Sequence, residues 1–134
     1  MLHEDLTAKI LQAYFTVYNI LGYGFLEKVY ENALFKELLK QGLMIEQQRN
    51  IKVYYDGAVV GDYYADLLIE NRVIVEMKCV DHLCEEHEAQ LLNYLRATTI
   101  EVGILLNFGK KPEIKRKVFT NEQKFFNEKK NVPN

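Results

Sequence analysis

The sequence predicts a mixed α/β domain, a sheet flanked by helices, and three observations carry that prediction. Apolar residues recur at helical spacing through residues 5–38. From Ile51 the spacing changes to alternation. An almost unbroken apolar run at 102–108, Val-Gly-Ile-Leu-Leu-Asn-Phe, then has the character of a central strand covered on both faces.

The first helix spans 5–21, with Leu6, Ile10, Ala13, Tyr14, Val17, Ile20 and Leu21 on its apolar face and Gly22 as its stop. After Gly22-Tyr23-Gly24, a second helix repeats the pattern with Leu26, Val29, Tyr30, Ala33, Leu34 and Leu38, and ends at Gly42. Ile51, Val53 and Tyr55 begin a strand, Asp56-Gly57 marks a turn, and strands over 58–69 and 73–80 complete a three-stranded meander. Glu85-Glu86-His87-Glu88 opens a third helix, whose early acids suit its N-terminal dipole and whose Leu91, Leu92 and Leu95 pack inward. The run at 102–108 then lies beside 73–80 through a helical crossover, which favours a right-handed connection. A short strand over 114–119 follows. Thr120 with Gln123 forms a capping box for a terminal helix containing Phe125 and Phe126, and the Asn/Lys-rich end is expected to fray.

The 134 residues, 49% of them hydrophobic, suit a single domain over 1–134 with its core at about 5–119. No apolar run approaches membrane-spanning length, and the opening Met-Leu-His-Glu-Asp lacks the basic and apolar blocks of a secretory signal, so a cytoplasmic protein is expected. Two cysteines, Cys79 and Cys84, do not make a disulfide framework. The net charge of −2 argues against a general polyanion binder. Its distribution softens that argument: residues 107–134 hold eight Lys or Arg against three Asp or Glu, while residues 1–106 hold nine against sixteen. A basic end beside an acidic body can hold a polyanion while the acids hold a cation.

The most informative segment is Asp66-Leu-Leu-Ile-Glu-Asn-Arg-Val-Ile-Val-Glu76-Met-Lys78. Strand alternation points Glu76 and Lys78 to the same face. A three-residue hairpin loop centred on Asn71 sets Asp66 opposite Glu76. Two adjacent carboxylates repel and raise one another's pKa unless a cation neutralises them, and a hard divalent metal is the natural neutraliser.

These residues, in this order, resemble the PD-(D/E)xK nuclease superfamily and, within it, the small GxxExxY proteins, whose motif stands here as Gly24-Phe-Leu-Glu27-Lys-Val-Tyr30. The resemblance covers roughly residues 5–119 and implies a restriction-endonuclease-like core, a helix, a three-strand meander, a helix and a strand, with an extra N-terminal helix. Asp66 and Glu76 match the superfamily's strand-borne acids and Lys78 completes its Glu-x-Lys; Ala65 replaces the usual Pro before the first acid. Gln90-Leu-Leu-Asn-Tyr94 looks like the Q-x-x-x-Y element of RecB-type nucleases. The implied activity is Mg²⁺- or Mn²⁺-dependent hydrolysis of DNA or, less favoured, RNA. Asp66, Glu76 and the Met77 carbonyl would bind metal, and Glu27 would hold a second ion. Lys78, Gln90 and Tyr94 would orient water or phosphate, with Tyr30 as an auxiliary; His87, three before Gln90 on the same helical face, is a further auxiliary by spacing alone. Carboxylate-held metal suits this chemistry because it shields the phosphodiester and acidifies water.

Blander readings stand beside these. Glu76 with Lys78 is also a plain ion pair on a strand, though its Val-Ile-Val setting argues against a solvated face. Tyr30 and Tyr94 are equally core aromatics with satisfied hydroxyls, and Glu27 an ordinary first-turn acid. Cys79, His82, Cys84 and His87 fall close together, but without the paired spacing of a zinc knuckle. The competing functions are a catalytically inactive module of the same fold that binds nucleic acid or a protein, and a subunit that uses Tyr54, Tyr55, Tyr63 and Tyr64 as an interface. Homodimerisation or a targeting partner would supply specificity.

Overall fold

The computed structural model describes residues 1–124. Helices α1 (Glu4–Leu21) and α2 (Glu27–Lys40) come first, followed by β1 (Ile45–Tyr55), β2 (Ala58–Ile69), β3 (Val73–Lys78), α3 (Glu85–Arg96), β4 (Val102–Phe108) and β5 (Pro112–Val118). The five strands form one sheet in sequence order. Only β3 and β4 run parallel, because α3 carries the chain back across the sheet between them; the other pairs are antiparallel. This is the mixed sheet flanked by helices that the pattern predicts, in the restriction-endonuclease-like order that the resemblance implies.

Alternation divides the central strands between two cores. Val73, Val75 and Met77 of β3 and Leu67 and Ile69 of β2 meet the apolar stripes of α1 and α2, namely Leu6, Ile10, Tyr14 and Val17 with Tyr30, Leu34 and Leu38. On the opposite face Ile74, Leu68 and Leu105 pack beneath Leu91, Tyr94 and Leu95 of α3. Every residue of β4 is buried, as its unbroken apolar run requires. Gly103 sets how closely α3 approaches: a Cβ there would lie 2.6 Å from Leu91 Cδ1, so the helix seats its leucine where the strand has no side chain.

Hairpin chemistry fixes the register. Asp56 and Gly57 both take positive φ, the two-residue turn that matches strand twist. Glu70 and Asn71 do the same, with the Arg72 N–H donating to the Ile69 carbonyl at 2.9 Å. The resulting pairs are Ile69↔Val73, Leu68↔Ile74 and Leu67↔Val75, which enclose the expected three-residue loop.

Several boundaries differ from the sequence expectation. Strand β1 begins at Ile45 rather than Ile51, because it is an edge strand whose outward polar side chains hide the apolar alternation. Strand β3 stops at Lys78, and the last strand starts at Pro112. Ile20 and Leu26, expected on apolar faces, are 74% and 81% exposed; Leu26 precedes α2 instead of joining its packed face. Thr120 and Gln123 do exchange backbone-to-side-chain hydrogen bonds. The helix expected to follow, with Phe125 and Phe126, falls largely outside the described residues.

Candidate active site

The β2–β3 register, continued by one pair, sets Asp66 across from Glu76 on the α3 face of the sheet. The Asp66 carboxylate is anchored there by the Met77 backbone N–H, which donates to Oδ2 at 2.8 Å. Glu76 is only 7% exposed, and its Oε1 is buried without a hydrogen-bond partner among the described residues. An orphaned carboxylate oxygen in a sheet interior costs free energy that a cation would recover. Burial first, and then the adjoining Asp66 carboxyl, push Glu76 up to about 10, while the Lys78 ammonium partly offsets both. Lys78, two residues on and half-buried, shares this face.

Helix α3 closes the site from above. Gln90 Nε2 donates to the Tyr94 hydroxyl at 2.6 Å, as the four-residue spacing on one helical face allows. Burial first, and then the nearby Glu76, hold the Tyr94 hydroxyl above its ordinary range, and the Tyr94 ring belongs to the cluster with Leu68 and Ile74 on the acid pair's face of the sheet. Asp66, Glu76 and Lys78 on the sheet and Gln90 and Tyr94 on α3 therefore share one face. Their donor set, two facing carboxylates with one oxygen unsatisfied, fits a hard divalent ion.

Other expected residues lie elsewhere. Glu27 is exposed in the first turn of α2, and its charge acts on the Cys79 thiol, which burial and that charge together push up to about 11. Cys79 packs with the α1–α2 core, on the face opposite the acid pair. Among the described residues no three His, Cys, Asp or Glu groups converge as a ready-made cage, so the expected third acid at Glu27 is not delivered. Tyr30 is a fastener for the preceding loop: its hydroxyl donates to the Gly22 carbonyl at 2.6 Å and accepts the Phe25 N–H at 3.2 Å, and its ring stacks on Phe108. Tyr30→Phe is expected to cost about 1 kcal/mol in denaturant unfolding, since two part-buried backbone groups of the loop lose their hydroxyl partner. His87 caps α3: the Cys84 N–H donates to its Nδ1 at 3.1 Å. That arrangement also disposes of the zinc reading, because Cys79 and His82 are not part of it.

Glu31 is the acid that the sequence reading missed. It is only 3% exposed, and its carboxylate accepts from Lys28 Nζ at 2.7 Å, Gln47 Nε2 at 2.9 Å and Gln48 Nε2 at 2.6 Å. Gln48, in a positive-φ conformation, also reaches Asp66 Oδ1 at 3.4 Å, linking α2 to the acid pair through one amide. The signal was present: Glu31 interrupts the apolar stripe of Tyr30, Leu34 and Leu38, where a charge persists only if paired.

An acid pair on adjacent strands, a lysine two residues on and a covering helix thus lie together on a restriction-endonuclease-like sheet. Residues 4–117 match the PD-(D/E)XK nuclease superfamily, and the chain belongs to it. No curated protein sequence matches the chain. Among solved structures, that of SSO0001 is similar with a TM-score of 0.54 and 19% identity, over 72% of this chain and 52% of that one. The alkaline exonuclease LHK-Exo from Laribacter hongkongensis is similar with a TM-score of 0.53 and 11% identity, over 77% of this chain and 60% of that one. The chain thus spans little more than half the length of either, and these likenesses bear on fold. Among the described residues no helix is long and apolar enough to cross a membrane.

Proposed function

We propose that the protein is a GxxExxY-type nuclease that hydrolyses phosphodiester bonds of DNA with Mg²⁺ or Mn²⁺. The observation that carries this reading is the buried, unpartnered Glu76 oxygen facing the anchored Asp66. Asp66, Glu76 and the Met77 carbonyl would hold the ion, which when bound shields the phosphate charge and acidifies water. Lys78 then orients the attacking water and counters charge on the phosphoryl group, while the Gln90–Tyr94 pair positions water or phosphate from above. The free thiols of Cys79 and Cys84 suit a reducing, cytoplasmic setting. The direct test is Mn²⁺-dependent degradation of linear DNA that stops on chelation. DNA left intact at saturating metal would end the proposal.

A second measurement addresses the ion itself. Calorimetry is expected to register Mn²⁺ uptake by the parent and none by Glu76→Gln. Without metal, Glu76 keeps its proton to about pH 10 when folded but releases it near its ordinary 4.5 when unfolded. The unfolded chain then binds fewer protons between those values, so stability declines as pH rises through that window. Glu76→Gln removes the decline, and an equal decline in that variant would refute the assignment.

A further inference from the structure

A cleft of about 210 Å³ opens where β3 and β4 end, walled by Tyr23 and Phe25 on one side and by Cys79, Asp81 and Lys110 on the other. One wall includes Gly24 and Phe25, which open the Gly24-x-x-Glu27-x-x-Tyr30 motif that the acid pair does not use. We propose that this cleft is a stacking subsite that takes one unpaired base of a single-stranded nucleic acid whose backbone runs round the end of β3 to the acid pair, an inference that rests on the nuclease reading.

Four observations support it. Tyr23 and Phe25 are 58% and 49% exposed, and a large aromatic ring open to water at a cleft mouth is a stacking platform for any base. The platform is rigid: Phe25 meets Tyr30 edge-on at 6.1 Å, Tyr30 stacks on Phe108 at 4.3 Å, and the Tyr30 hydroxyl fixes the Phe25 backbone. The opposite wall is rigid as well, since the Tyr18 hydroxyl holds the carbonyls of Gly109 and Lys110 at 2.8 and 2.9 Å, and a Cβ on Gly109 would lie 2.0 Å from the Val80 carbonyl oxygen. Size and charge then select the occupant. The volume is below the roughly 300–1,000 Å³ of pockets for drug-sized ligands, so a single ring fits and a base pair does not. Exposed Lys110 and Lys111 suit the adjoining phosphate, whereas Asp81 repels phosphate and instead accepts from an exocyclic amino group. Cys79 follows Lys78 directly, so a strand leaving the acid pair reaches the cleft by crossing the end of β3.

The test uses the full chain carrying Glu76→Gln, which binds without cutting. Fluorescence anisotropy would compare a short oligodeoxycytidylate with a blunt duplex. Adding Tyr23→Ala and Phe25→Ala is expected to weaken single-strand binding about tenfold or more, and duplex binding by less than about twofold. Tyr23→Phe with Phe25→Tyr, which keeps both rings, restores binding and controls for folding. An unchanged single-strand affinity, an equal loss on both probes, or failure of the ring-preserving variant to restore binding would each overturn the subsite. Metal-dependent cleavage is scored separately on the parent, so loss of the subsite and loss of the nuclease reading give different results.

Discussion

Lys78→Ala is expected to reduce Mn²⁺-dependent DNA cleavage by about a hundredfold or more, and Asp66→Ala to bring it to background. The first figure is the usual size of a positioned proton-transfer or charge-stabilising group. Lys78 occupies the strand position two beyond Glu76, and its charge bears on the buried carboxylate, so truncation removes the one cation on that face of β3 without opening the core. Asp66 is different in kind. It is fixed by the Met77 N–H and touched by Gln48, so its loss removes a proposed ion ligand and leaves the Met77 N–H without its acceptor. Single-turnover assays on purified variants with matched circular dichroism would measure both. Equal residual activity in the parent and the two variants would point to a contaminating nuclease and defeat the reading.

Asn107→Ala is expected to be the most damaging substitution away from the acid pair, costing about 3–5 kcal/mol. Asn107 is fully buried on β4, in register with Lys78. Its Oδ1 accepts the N–H groups of Val80 and Gly109, each at 3.1 Å. Its Nδ2 donates to the Val80 carbonyl at 2.9 Å and to Glu113 at 3.0 Å. Alanine removes four hydrogen bonds at once, one of them to the buried Gly109 N–H and the others to part-buried groups at the strand ends. Denaturant unfolding would show the loss. A change under about 1 kcal/mol would mean that water substitutes for the amide at these strand ends.

Much of this architecture was legible in the sequence because its signals are local. The helical stripes, the Asp56-Gly57 turn and the loop around Asn71 depend on neighbours a few residues apart, and that loop alone dictates that Asp66 faces Glu76. The Gln90–Tyr94 pair follows from helical spacing in the same way. The misreadings arose where the deciding contact is distant in sequence. Glu27 and Glu31 are the same residue type one helical turn apart, and only the packing of α2 against β1 shows that Glu31 is the buried one, tied to Asp66 through Gln48. His87 was read toward the site because it shares a helical face with Gln90, yet its ring is already engaged by the N–H of Cys84. The polar half of β1 was missed because pairing with β2, not hydrophobicity, makes it a strand.

The β2–β3 hairpin closes over three residues, whereas β4, which completes the burial of its acids, arrives only after the α3 crossover. Short closures form cheaply and long ones late. In a nascent chain Asp66 and Glu76 would therefore meet while still bathed in water, where their repulsion is mild. The electrostatic difficulty matures only as α3 settles on Gly103, so uptake of a proton, or of the proposed ion, would be the final act of assembly.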